Sequence, residues 1–133
     1  MRLLPAGLQE VFDAWLDPDG MKDWLCPGST STTVDELDAR VGGHFTITMR
    51  DGDKDYVHRG EYREITPPKR LVFTWISHLT NNKPSLVTIE FNEKGAQTEL
   101  ILTHQELPTK DSAEKHRGGW TSILEKLSHR LSD

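Results

Sequence analysis

Apolar residues repeat with two different periods along this chain, and each change of period marks a new kind of element. Leu8, Val11, Phe12, Trp15 and Leu16 recur at offsets of three, four, seven and eight, the spacing of one helical face. Asp17-Pro18 stops that first helix and opens a second. Asp17 suits the cap position and Pro18 the first turn, where its missing N–H costs nothing. The second helix runs to about Trp24, before Cys26-Pro27-Gly28. In the middle of the chain the period falls to two. Phe45, Ile47 and Met49 alternate with His44, Thr46 and Thr48, as in a strand with one buried face. Asp51-Gly52 then signals a hairpin turn. Tyr56 to Ile65 alternates again, with Arg59, Glu61 and Arg63 on the wet side, and Thr66-Pro67-Pro68 closes it. Leu71 to Ser77, Ser85 to Phe91 and Gln97 to Gln105 read as three more strands, and Thr30 to Asp35 as a further one ahead of Gly42-Gly43.

The helical period returns at the end. Trp120, Ile123, Leu124, Leu127 and Leu131 form one stripe on a helix expected over Asp111 to Leu131. The predicted order is two short helices, about six antiparallel strands in series, then one long helix. Such a meander is an α+β fold, and the single stripe of the last helix needs one face of the sheet as its partner. Gly118 and Gly119 sit inside that helix, where a glycine costs roughly 1 kcal/mol relative to alanine. The expected reason is missing volume: a gap opposite the glycines that leaves a pocket between helix and sheet.

Composition narrows the class. The 133 residues make one domain, 1–133, large enough to bury a core unaided. With 35% hydrophobic and 28% charged residues the chain reads as an ordinary globule. A net charge of -5 argues against nucleic acid as a partner. No apolar run is long enough to span a membrane. The start Met-Arg-Leu-Leu-Pro has no signal-peptide core, and the single Cys26 excludes an internal disulfide, so a cytoplasmic location is expected.

The same residues carry a resemblance. Phe12-Asp13-Ala14-Trp15 with Asp17-Pro18 and Trp24 looks like the opening helices of a known family. Asp38-Ala39-Arg40-Val41-Gly42-Gly43-His44-Phe45 looks like its signature ahead of a central strand. Gly60-Glu61-Tyr62-Arg63-Glu64-Ile65 and Pro67 to Trp75 match its central hairpin, and Thr98 to His104 with Gly118-Gly119-Trp120, Leu124 and Leu127 match its end. The chain thus resembles the START-like (SRPBCC) superfamily, in the branch named after activators of the heat-shock protein 90 ATPase. The resemblance implies a helix-grip fold: a curved antiparallel sheet of six to seven strands wrapped around a C-terminal helix, with a cavity between. It also implies a first edge strand, which here is limited to Met1 to Leu4. Chaperone activators of the eukaryotic type carry a separate N-terminal domain as well; none is expected here, which weighs against co-chaperone activity.

The expected cavity wall is Trp24, Phe45, Met49, Tyr62, Phe73, Trp75, Leu102, His104 and Trp120. Aromatic walls with a few polar tips suit an apolar ligand that must be oriented. The same residues also serve as ordinary core. His104 is in phase with Leu100 and Leu102 and should point inward, either toward a ligand or as a neutral histidine satisfied by a hydroxyl or backbone group. His58 is in phase with Tyr62 and is a second candidate. The six histidines form no metal signature, and neither a metal nor a cofactor is expected. Cys26 follows a helix end, where the dipole opposes a thiolate. Asp38 and Arg40 suit a surface ion pair, Gly42-Gly43 a bulge or bend that curves the sheet, and Lys110, Asp111, Glu114, Lys115 and Arg117 a solvated face capped by Thr109 or Asp111.

Three functions compete. The first is binding of a small hydrophobic or aromatic molecule between sheet and helix. The second is a cyclase- or hydrolase-type enzyme in the same cavity, using His104 with Tyr62 or His58. The third is a stress-response role as a chaperone cofactor, with a homodimer through the open sheet edge as a further expectation.

Overall fold

The computed structural model describes residues 2–132. The chain opens with strand β1 (Arg2–Leu4) and helices α1 (Leu8–Ala14) and α2 (Pro18–Trp24). Met1, at the start of the expected edge strand, lies outside the described residues. Six strands follow: β2 (Ser31–Leu37), β3 (His44–Asp51), β4 (Lys54–Thr66), β5 (Arg70–Trp75), β6 (Ser85–Lys94) and β7 (Gln97–Gln105). Helix α3 (Lys110–Leu131) comes last. The seven strands form one antiparallel sheet in the order β1-β7-β6-β5-β4-β3-β2. β2 to β7 are therefore a plain meander, while β1 lies beside β7 with Arg2 opposite Leu100. The segment holding α1 and α2 must cross from one edge of the sheet to the other. This is the α+β helix-grip architecture, with α3 laid against the curved sheet.

Curvature comes from local irregularities. Register shifts occur between Val34 and Glu36 in β2 and between Tyr62 and Glu64 in β4, and such bulges bend and twist a strand. Gly60 has a different task. A Cβ there would overlap the Thr74 carbonyl oxygen and lie 2.5 Å from Phe45 Cζ. Only glycine lets the Phe45 ring cross β4 so closely. Of the bulge or bend expected at Gly42-Gly43, the structure has the chain bending in a turn between β2 and β3. Gly42 has φ +86°, its N–H donates to the Tyr62 carbonyl, and the Tyr62 N–H donates back to the Gly43 carbonyl.

The core lies between sheet and helices, with Leu4, Phe12, Ile47, Ile89, Leu100 and Leu127 wholly or almost wholly buried. Thr109 caps α3 by accepting from the Ser112 N–H at 3.0 Å. The buried stripe of α3 extends further toward its N-terminus than the apolar pattern shows, because Ser112 and His116 are buried in line with Trp120. Gly118 departs from expectation. It faces solvent, a Cβ there would meet no atom within 4 Å, and it makes no room for anything inside. Gly119 alone faces inward, where a Cβ would lie 3.7 Å from Pro27 Cβ. Pro27 is held there by α3 itself: Lys126 Nζ donates to the Cys26 carbonyl at 2.6 Å, and the Gly28 N–H donates to Ser122 Oγ at 2.9 Å. Asp17 occupies the cap position of α2, but its carboxylate makes no capping hydrogen bond.

Candidate ligand site

Aromatic side chains from three elements of the sheet meet those of α3. Phe45 of β3 packs on Tyr62 of β4 and on Phe73 of β5, each with ring centroids 5.5 Å apart. Trp75, at the end of β5, lies 5.2 Å from Trp120 of α3. These rings, with Trp15 and Met21 from the crossing segment, enclose a space of only about 20 Å³. That is room for about one water molecule, far below the several hundred Å³ of a typical ligand pocket. The interior is close to filled by its own side chains.

A larger, partly open cleft lies at the end of this wall. It has a volume of about 130 Å³. Its floor is Met49, His58 and Trp75 from the sheet. Its sides are Leu79 from the 3₁₀ turn His78–Thr80, Pro27, and the α3 face of Lys115, His116, Gly119 and Trp120. Trp75 and Trp120 line both spaces and so form the partition between them. The 3₁₀ turn is tied to α3 by Ser112, whose hydroxyl donates to the Leu79 carbonyl.

Four histidines gather here, and among the described residues none has a carboxylate as a hydrogen-bond partner. Trp120 Nε1 donates to His104 Nδ1 at 3.0 Å, so Nδ1 is the acceptor and the proton is on Nε2. Nε2 then donates to Ser85 Oγ at 2.7 Å, and that hydroxyl donates to the Trp75 carbonyl at 2.6 Å. Both imidazole nitrogens of His104 are occupied. Burial, with the nearby His116 adding to it, pushes its pKa down to about 3. His58 lies 5.0 Å from the Trp75 ring, and its Nδ1 is 3.2 Å from the Tyr56 carbonyl. Burial pushes His58 down to about 4. His116 is lowered by burial too, and its ring meets His104 edge-on at 4.6 Å. His78 stacks on Tyr56 at 4.5 Å and is likewise lowered, first by burial and then by Lys115. Burial raises the Tyr62 hydroxyl well above the usual phenol range. Near neutral pH the site therefore presents neutral groups only, apart from Lys115 at its rim. Among the described residues no group of three or more His, Cys, Asp or Glu has the geometry to hold a metal.

The residues expected from sequence divide. Phe45, Tyr62, Phe73, Trp75 and Trp120 line the inner space, and Met49 joins Trp75 and Trp120 in the cleft. Trp24 is fully buried behind Trp15, with ring centroids 4.8 Å apart, and lines neither space. Leu102 is half-buried on β7 and lines neither. His104 stands behind Trp120 and holds the indole in place rather than facing a void. The apolar stripe of α3 does not include His116 or Gly119, and Leu79 lies in no predicted element. His116 carried a signal all the same: it lies four residues before Trp120, on the same face, but is polar. Leu79 carried none, because it reaches the cleft only through the fold.

The family model described as Activator of Hsp90 ATPase homolog 1-like protein matches residues 5–132. A protein of known structure from Chromobacterium violaceum is 25% identical, with a TM-score of 0.92 over 99% of this chain and 94% of that one. The AHSA1 protein from Silicibacter pomeroyi is 27% identical, with a TM-score of 0.82 over 98% and 94%. CalU16 from Micromonospora echinospora is 25% identical, with a TM-score of 0.71 over 98% and 73%. No curated protein matches the sequence.

Proposed function

The chain belongs to the Activator of Hsp90 ATPase homolog 1-like family, and from that premise we propose that it binds a small hydrophobic or aromatic molecule between the sheet and α3. The observation that carries this reading is the cleft of about 130 Å³ walled by Trp75, Trp120, Met49 and Ile123. Cavities of this order accept a single aromatic ring. The inner space of about 20 Å³ does not. The ligand is therefore one ring in size, unless Trp120 swings and joins the two spaces. The indole is held by one hydrogen bond to His104, so that swing breaks one neutral bond.

Two other readings have less support. Acid–base catalysis cannot run through His104 as it stands, because both of its nitrogens are engaged in structural hydrogen bonds. A chaperone-docking role wants a contiguous apolar patch. Among the described residues the exposed large apolar side chains are Leu3 on β1, Val41 in the β2–β3 turn and Val57 on β4, with β1 and β2 at opposite edges of the sheet.

Thermal unfolding with a panel of compounds tests the proposal. Single-ring aromatics at millimolar concentration are expected to raise the midpoint and quench tryptophan fluorescence through Trp75 and Trp120. Long-chain fatty acids and fused-ring compounds are expected to do neither. A panel in which no compound moves either signal defeats the reading.

A further inference from the structure

Two residues that line the cleft each carry a buried polar atom without a partner. The indole N–H of Trp75 and Nε2 of His116 are buried and have no hydrogen-bond partner among the described residues. Both side chains line the cleft, and they are 4% and 7% exposed. Buried polar groups almost always find partners, so an unpaired one calls for a reason. The two are opposite in kind. An indole N–H only donates. His116 Nδ1 lies 2.8 Å from the Ser112 carbonyl, which only accepts, so the proton is on Nδ1 and Nε2 carries a lone pair. Trp15 Nε1 is unpaired as well, but Trp15 lines the inner space and not the cleft.

The chemistry of the complement follows. A cation has no carboxylate to meet among the cleft residues. An anion would meet only Lys115, which is already paired with Asp111 at 3.2 Å and points to water. A purely apolar ring fills the space but leaves both polar atoms unpaired. A hydroxyl donates and accepts at once. Met49, Leu79, Trp120 and Ile123 supply apolar contact for a ring that bears it.

Resting on the ligand-binding reading above, we infer that the cleft selects a neutral single-ring phenol, whose hydroxyl donates to His116 Nε2 and accepts from the Trp75 indole N–H. The ring then packs against Trp120 and the Met49 side chain. Selectivity arises because ligands without the hydroxyl leave two buried groups unsatisfied.

Calorimetric titration of the full chain with phenol, toluene and benzoate tests this, on the native protein and on His116→Phe and Trp75→Phe. Phenol is expected to bind the native chain about tenfold more tightly than toluene. In His116→Phe that advantage is expected to vanish while toluene still binds. Nitrogen-15 resonances of His116 in the native chain give a second readout that needs no variant, with Nε2 expected to shift on adding phenol but not toluene. Equal affinity for phenol and toluene overturns the hydroxyl placement and leaves the proposed function standing. So does tighter binding of benzoate, an unmoved Nε2 resonance at saturating phenol, or a phenol preference that survives both substitutions. Failure of both phenol and toluene to bind overturns the proposed function as well.

Discussion

Gly118 and Gly119 are neighbours in sequence and share a helix, yet only one of them faces the cleft. Gly119 lies under Pro27 at the lip of the cleft, so a side chain there narrows the space. Gly118 meets nothing and faces water. Replacing it by alanine restores helix propensity at an open site, so Gly118→Ala is expected to stabilise the chain by about 0.5–1 kcal/mol in denaturant unfolding, with no change in ligand affinity. His104 gives the residue-scale counterpart on the sheet. Its inward phase was legible from Leu100 and Leu102, but phase says nothing of partners. Ser85 is 19 residues away in sequence and Trp120 is 16, and these two decided that its imidazole is a strut.

At the scale of elements, α3 is both lid and anchor. Its C-terminal half packs through Ile123, Leu124 and Leu127, all buried. Its N-terminal half is attached by polar contacts: Ser112 to Leu79, His116 to its own turn, and Trp120 to His104. The loop after α2 hangs from the helix through Lys126 and Ser122. Charge-assisted bonds to carbonyls are worth more than neutral ones, though this lysine is partly exposed. Lys126→Met is expected to cost about 1 kcal/mol and to speed amide exchange at Gly28, while exchange within β3 to β6 stays unchanged. Uniform acceleration across the sheet would show that the loop is not a separate unit.

Over the whole molecule, the buried neutral histidines link stability to pH. His58 and His104 titrate near 6.5 when exposed in the unfolded chain, and are lowered to about 4 and about 3 when folded. Protons therefore bind the unfolded chain more readily. The stability these groups support is complete above about pH 6.5 and is lost as the pH falls toward about 4 and then about 3. Denaturant midpoints are expected to drop steadily across that range. A His104→Phe variant should lose less on acidification than the native chain, and an equal loss in both would remove His104 from the account. No helix of the described residues is long and apolar enough to cross a membrane.

The order of elements followed from the sequence because helix and strand periods differ, and because one apolar stripe on α3 demands one sheet face. The aromatic wall was legible for the same reason: alternation assigns Phe45, Phe73 and Trp75 to a face without any knowledge of neighbours. Volume was not legible. Whether aligned rings enclose a cavity or fill it depends on how closely α3 approaches β5, and on Trp15 arriving from the crossing segment. The polar edge of the cleft was also decided by tertiary contact, since Trp75, Leu79 and His116 converge only once the helix has docked.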